Sequence, residues 1–170
     1  MIRVPSASQA PRLSALMRQA FIEAFGHSSS AQDVESFLAQ AYSAKQQAAE
    51  LDDPAVVTRV VESADDAWAG FGQLRFASPA PESITLRQPA ELGRLYVLAA
   101  YHGQGLGSAL MDWVHAESVS RGIDGLWLSV WQQAQRSIAF YRRHGFEIVG
   151  RATFRVGTDV QDDWVMQKRF

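Results

Sequence analysis

A glycine-rich segment in the second half of the chain restricts its fold more than any other feature. Residues 102–108 read His-Gly-Gln-Gly-Leu-Gly-Ser, with glycine at three alternate positions. An apolar run over 92–98 precedes the segment, and apolar residues at helical spacing follow it. Glycine permits a tight turn and a close backbone approach to a ligand, and the first turn of a helix offers free N–H donors to an anion. We therefore predict a strand, a phosphate-binding turn and a helix, and the alternative is a tight turn without a ligand.

The spacing of the glycines excludes two common nucleotide-binding motifs. A dinucleotide-binding fold needs G-x-G-x-x-G, and a P-loop needs Lys-Ser or Lys-Thr after its last glycine. The chain contains neither pattern in this segment. The anion that the turn binds must therefore belong to another class of ligand.

Composition narrows the class of protein further. The chain has 170 residues, no cysteine and a net charge of −2, which predicts one domain over residues 1–170 and excludes disulfides, thiolate metal sites and cysteine nucleophiles. The four histidines show no metal-binding spacing, so we expect no metal. Without a basic run, a secretory signal pattern or an apolar run of about 18 residues, we expect a cytoplasmic protein that binds neither nucleic acid nor a membrane.

Hydrophobic periodicity predicts alternating strands and helices. The predicted strands lie at 2–4, 56–62, 68–76, 91–98, 125–131, 146–154 and 164–170, and the predicted helices at 10–25, 30–42, 106–122 and 135–144. The order is β-α-α-β-β-β-α-β-α-β-β. Such alternation predicts an α/β fold in which a mixed sheet lies between helices.

A second motif follows the glycine segment along the chain. Residues 137–146 read Ser-Ile-Ala-Phe-Tyr-Arg-Arg-His-Gly-Phe. This motif resembles motif B of the GNAT (GCN5-related) N-acetyltransferases, and the glycine segment resembles their motif A, Arg/Gln-x-x-Gly-x-Gly/Ala. The resemblance implies the GNAT fold, with a mixed, mostly antiparallel sheet of about six or seven strands flanked by about four helices.

Further segments resemble the branch of the family that contains the bacterial polyamine (spermine/spermidine) N-acetyltransferases. They are residues 25–27, 42–43, 51–54, 91–97 and 154–163. The resemblance implies an acyltransferase that uses acetyl-CoA as co-substrate and transfers acetyl to a primary amine by direct attack in a ternary complex. The expected partner is a small cationic amine such as a polyamine, and relatives of this kind commonly form homodimers.

The resemblance also assigns cofactor-binding residues. The pantetheine arm is expected to run along the backbone of Leu95 and Val97, whose side chains would be core residues in either case. The residues expected to bind the pyrophosphate are His102, Gly103, Gln104, Gly105, Leu106, Gly107 and Ser108.

Two residues are catalytic candidates. Tyr141 matches the family's general acid, which protonates the departing thiolate, and its alternative role is an aromatic residue on the buried face of its helix. Glu91 is the candidate base, and its alternatives are an ion pair with Arg94 or a charge at the rim of the site. A dedicated base is unnecessary if the amine is already neutral through desolvation.

Departures from the family pattern keep other functions open. His102 replaces Arg or Gln, Ala134 replaces a usual Asn, and Gln132 stands where the branch often has Glu. Losing the Asn hydrogen bond costs about 0.5–1.5 kcal/mol of cofactor binding. The alternatives are therefore an acetyltransferase for a protein, peptide or antibiotic amine, and a non-catalytic acyl-CoA-binding sensor.

Overall fold

A seven-stranded sheet forms the centre of the structure, a computed structural model that describes residues 1–170. The strands are β1 (Ile2–Arg3), β2 (Val56–Glu62), β3 (Trp68–Arg75), β4 (Pro89–Val97), β5 (Gly125–Trp131), β6 (Glu147–Val156) and β7 (Asp159–Arg169). Their order across the sheet is β1-β2-β3-β4-β5-β7-β6. Only β4 and β5 pair in parallel, and every other pair is antiparallel. The predicted mixed, mostly antiparallel α/β fold is confirmed.

Five helices connect and cover the strands. They are α1 (Ala10–Phe25), α2 (Ala31–Ala41), α3 (Ala44–Asp52), α4 (Leu106–Ser120) and α5 (Gln135–Arg143). The predicted order of elements is confirmed, with α3 as an addition. The last strand begins at Asp159, earlier than the predicted 164, because a turn at Gly157 with φ of +61° joins β6 and β7 as a long hairpin. No helix is long and apolar enough to span a membrane.

The sequence analysis missed α3 because this helix buries polar residues instead of an apolar stripe. Its fully or almost fully buried residues are Gln47 and Glu50, so the apolar periodicity on which the prediction rests is absent. The local signal was the helix cap, since Ser43 accepts a hydrogen bond from the N–H of Gln46 at 3.2 Å.

Each face of the sheet carries its own hydrophobic core. The first core packs α1 and α2 against the sheet and contains Leu13, Leu16, Met17, Ala20, Phe21, Val34, Leu38, Tyr42, Val60, Trp68, Phe71, Leu98 and Val156. The second core packs α4 and α5 against the other face and contains Leu74, Ala90, Leu92, Met111, Val114, Leu126, Leu128, Val130, Ile138, Phe146 and Met166. The sheet is therefore covered on both faces, as a layered α/β architecture requires.

A buried ion-pair network ties α3 to the sheet below the first core. The carboxylate of Glu50 accepts hydrogen bonds from Arg94 at 2.6 Å and from Arg75 at 2.8 Å, and Gln73 donates to it at 3.0 Å. Burial acts to raise the pKa of Glu50, but Arg94 and the hydrogen bonds from Gln73 and Arg94 hold it below its ordinary value. Glu50 is thus an ionised residue that fixes α3 on β3 and β4.

Candidate active site

The parallel strands β4 and β5 pair at one end only. Their partners are Pro89 with Gly125, Ala90 with Leu126 and Glu91 with Trp127, and no pairing continues beyond Glu91. The β3–β4 register shifts between Gln73 and Leu74, which leaves Gly93 as an extra residue on β4. The strands therefore diverge, and we call the gap between residues 92–97 of β4 and 128–131 of β5 the opening. Ser129, in the middle of the central strand β5, is exposed.

The backbone of β4 presents free polar groups to the opening. The last pair of the β3–β4 ladder is Gly70 with Val97, so the next residues, Ala69 and Leu98, lie opposite each other. The N–H of Leu98 donates to the carbonyl of Ala69 at 2.9 Å, which makes this a hydrogen-bonded pair. Because bonded and non-bonded pairs alternate in an antiparallel ladder, the N–H and C=O groups of Leu95 and Val97 point away from β3. These are the two residues predicted to bind the pantetheine arm.

The glycine segment forms a turn whose N–H groups are free. Gly103 and Gly105 have φ of +81° and +76°, a left-handed conformation that favours glycine. Gly105 caps α4, and no side chain bonds the first turn of the helix. No N–H group from Gly103 to Ser108 donates to an acceptor within the chain. Six consecutive N–H donors at the positive end of a helix form a site for an anion.

The remaining residues predicted to bind the cofactor surround this turn. Gln104 and Ser108 are exposed, while Leu106 and Gly107 are half-buried. A Cβ atom on Gly107 would lie 3.3 Å from Cε2 of Phe140 on α5, so glycine allows α4 to begin close to α5. His102 is exposed, and its ring turns back onto β4.

Tyr141 and Tyr96 lie on opposite faces of the sheet and are close enough to influence each other. Tyr141 on α5 packs against the second core, and Tyr96 on β4 packs against the first core. Burial raises the pKa of the Tyr141 phenol. Burial also raises the pKa of Tyr96, and the neighbouring Tyr42 and Tyr141 raise it further. The hydroxyl of Tyr141 takes part in no hydrogen bond within the chain.

Glu91 lies at the closed end of the opening. It is half-buried, and its carboxylate accepts a hydrogen bond from the hydroxyl of Ser78. The ion pair with Arg94 that was one alternative for Glu91 does not form, because Arg94 pairs with Glu50. A role for Glu91 as the base stays a prediction.

Sequence analysis missed one acidic residue near the opening. Asp163 on β7 is only 5% exposed, and it faces the last residue of β5, Trp131, across the ladder. Burial and the neighbouring Asp162 raise its pKa to about 6. The signal in the sequence was an acidic residue within a strand, at a position that the alternation of β7 places inside.

Comparisons with known proteins agree with this architecture. The sequence model of the Acetyltransferase (GNAT) family matches residues 14–146. An uncharacterized N-acetyltransferase of Mycobacterium bovis is 45% identical over 76 residues, which cover 45% of this chain and 49% of that protein. The chain thus matches about half the length of that relative.

Solved structures show the same fold. The PaiA N-acetyltransferase from Thermoplasma acidophilum, in complex with coenzyme A, has a TM-score of 0.78 at 21% identity over 100% of this chain and 98% of its own. The ribosomal-protein-S18-alanine N-acetyltransferase from Escherichia coli has a TM-score of 0.69 at 19% identity, over 99% and 92%.

This chain shares its overall fold with both solved acetyltransferases. The chain belongs to the GNAT family, because the family model covers well over half of its residues. Members of this family use acetyl-CoA.

Proposed function

We propose that the protein transfers an acetyl group from acetyl-CoA to a primary amine. The observation that carries this proposal is the run of six free N–H groups at the start of α4, beside a strand edge where the polar groups of Leu95 and the N–H of Val97 are also free and the carbonyl of Val97 accepts a hydrogen bond from His102. A diphosphate with an extended amide-containing arm is a ligand that both features would satisfy. The solved PaiA structure, which shares this fold, contains coenzyme A.

In this proposal the pyrophosphate binds to the N–H groups of residues 103–108, and the pantetheine amides bond to Leu95 and Val97 as an added strand. The thioester then lies in the opening, near Tyr141. The amine attacks the thioester carbon, the C–N bond forms and the C–S bond breaks. Tyr141 donates its proton to the departing thiolate, which its raised pKa allows because the phenol stays neutral at physiological pH. Glu91 stays a candidate base that would act through water.

A small cationic amine such as a polyamine is the acceptor that we favour. A cavity of about 300 Å³ lies at the end of β5 and is lined by Trp131, Gln132 and the acidic Asp159 and Asp162, among others. Acidic groups attract cationic amines. The alternative acceptor is a peptide amine, since the Escherichia coli protein of the same fold is named for a ribosomal-protein alanine. We also propose that residues 1–170 form one domain.

The test follows CoA thiol release from acetyl-CoA with purified protein and a panel of amines. The panel contains spermidine, spermine, amino acids, an alanine-terminated peptide and an aminoglycoside, and reactions without amine report acetyl-CoA hydrolysis. Release with spermidine or spermine, together with the acetylated amine by mass spectrometry, would support the proposal. Release only with the peptide would replace the polyamine by a peptide acceptor. Saturable acetyl-CoA binding without release from any amine would instead indicate a non-catalytic acyl-CoA sensor.

A further inference from the structure

Two nearly buried side chains on one face of β7, Asp163 and Gln161, carry oxygens that have no hydrogen-bond donor in the protein. The carboxylate of Asp163 takes part in no hydrogen bond or ion pair, although the residue is only 5% exposed. Oε1 of Gln161 is buried and has no partner. Since side chains alternate along a strand, the two residues lie on the same face, two positions apart. The Asp163 oxygens keep some contact with solvent, unlike Oε1 of Gln161, so a ligand that brings donors can reach the carboxylate and replace the water that a nearly buried carboxylate needs.

This face of β7 contacts the turn between α1 and α2. The contact lies at the wide end of the opening, which we call its mouth. Nε2 of Gln161 donates to the hydroxyl of Ser29 at 3.2 Å. Trp131, the β5 partner of Asp163, contacts Phe25 at the end of α1, with ring centroids 6.0 Å apart. The charge of Asp163 contributes to the raised pKa of Tyr96 on β4. Asp163 therefore lies beside the mouth of the opening, on the face of the sheet that the end of α1 covers.

We propose that Asp163 and Gln161 form the acceptor subsite, in which the Asp163 carboxylate binds the substrate ammonium group and takes its proton. This inference rests on the proposed acetyltransferase function. An ammonium group offers three N–H donors, which match the three oxygens without a donor, namely the two carboxylate oxygens of Asp163 and Oε1 of Gln161.

The proton balance of the step is complete. Asp163 accepts one proton from R–NH₃⁺, and the neutral amine attacks the thioester carbon. When the C–S bond breaks, Tyr141 protonates the thiolate and regains a proton from the nitrogen of the new amide. Asp163 then releases its proton to solvent, and the products are the acetylated amine and CoA thiol.

The electrostatic surroundings of Asp163 fit a base. Its pKa of about 6 leaves it ionised at neutral pH, and burial and Asp162 are the causes of the increase. No cation neutralises it, since Arg94 is paired with Glu50. The other ionisable groups near it on the surrounding elements include Tyr96 on β4, Asp159 at the hairpin and His27 between α1 and α2. Arg151 and Arg155 on the neighbouring strand β6 alternate with Ala152, the direct partner of Asp163, and so lie on the opposite face. Within the subsite, burial also lowers the pKa of the bound ammonium, which favours transfer of its proton.

The test compares Asp163→Asn with the control Asp65→Asn, which removes the same charge from an exposed residue in the turn between β2 and β3, away from the opening. Steady-state kinetics with the amine found active are measured from pH 5 to 8, and acetyl-CoA binding by calorimetry. We expect kcat/KM for the amine to fall at least 100-fold in Asp163→Asn, with the Kd of acetyl-CoA within twofold. The decline of kcat/KM below pH 6 should disappear. Asp65→Asn should stay within about threefold of the wild type and keep that decline at the same pH, because a distant exposed charge is screened by salt. Asp163→Glu, which keeps a carboxylate, should retain the decline at low pH even if its rate is reduced.

Other outcomes overturn the inference and separate it from the proposed function. If Asp163→Asn acetylates the amine as fast as the wild type, the protein is an acetyltransferase in which Asp163 is not the base. Loss of the decline at low pH in Glu91→Gln, but not in Asp163→Asn, would assign the base to Glu91. If wild-type protein releases no CoA with any amine, both the proposed function and this inference fail.

Discussion

The ring of His102 donates a hydrogen bond through Nε2 to the carbonyl oxygen of Val97, at 2.8 Å. The carbonyl can only accept, so Nε2 carries the proton. The bond joins the first residue of the glycine segment to the free edge of β4, and it satisfies one of the backbone groups that face the opening. His102 therefore links the two halves of the proposed acetyl-CoA site.

Replacing His102 by alanine tests this link. The turn would lose its connection to β4, and one hydrogen bond contributes about 1 kcal/mol, so we expect the Kd of acetyl-CoA to rise roughly fivefold. The melting temperature should change little because the side chain is exposed. Calorimetry measures the first quantity and thermal denaturation the second, and an unchanged Kd would mean that the link does not support binding.

Gly105→Ala tests the turn itself. A Cβ atom there meets nothing within 4 Å, so the effect comes from the left-handed backbone, which costs about 1–2 kcal/mol for a residue with a side chain. Gly122→Ala is a matched control, because Gly122 has φ of +71° and equally open surroundings, but lies beyond the far end of α4. We expect similar losses of stability in both variants and weaker acetyl-CoA binding only in Gly105→Ala. Equal binding by both would contradict a role for the turn.

Tyr141→Phe tests the general acid. Proton donation to the thiolate contributes about 10²–10⁴-fold, so kcat should fall by at least 100-fold while the Kd of acetyl-CoA is unchanged. Because burial raises the pKa of Tyr141 above that of an ordinary tyrosine, the wild-type kcat should show no decline assignable to Tyr141 up to about pH 10. Full activity in Tyr141→Phe would leave Tyr141 as a packing residue only.

Glu50→Gln tests the buried ion-pair network. Removing one charge leaves Arg75 and Arg94 without their partner, and breaking a buried pair costs about 3 kcal/mol. The pKa of Glu50 is lowered in the folded protein, so its contribution is present at neutral pH and is lost as the pH falls through that lowered value. Urea denaturation at pH 7 and at acidic pH measures both effects. The exposed pair of Arg18 and Glu35 supplies the control, since Glu35→Gln should cost under about 1 kcal/mol.

Much of the fold follows from local sequence patterns. The predicted bounds of α1, β2 and β5 match the structure, because each has a regular apolar periodicity and a clear stop. The glycine turn was also predictable, since left-handed backbone at positions 103 and 105 requires the residue that the sequence shows there. The cap of α2 was less clear from the sequence, because both Ser30 and Asp33 lie near its start, and the structure shows Ser30 as the cap that accepts a hydrogen bond from the N–H of Asp33. Either side chain is a good cap, so composition alone did not separate them.

The rest depends on contacts between distant parts of the chain. The pairing of Glu50 with Arg94 joins residues 44 positions apart, and no local pattern distinguishes it from the expected pair of Arg94 with Glu91. The bulge at Gly93 and the divergence of β4 from β5 are properties of register, to which hydrophobic periodicity is insensitive. Asp163 became a candidate only when the sheet order placed β7 beside β5.

Amide chemical shifts during titration with acetyl-CoA test the central claim most directly. We predict saturable changes at the N–H groups of residues 103–108 and of Leu95 and Val97, with β1 and β2 unaffected. Saturable binding that leaves all of these amides unchanged and perturbs another surface would contradict the proposed site.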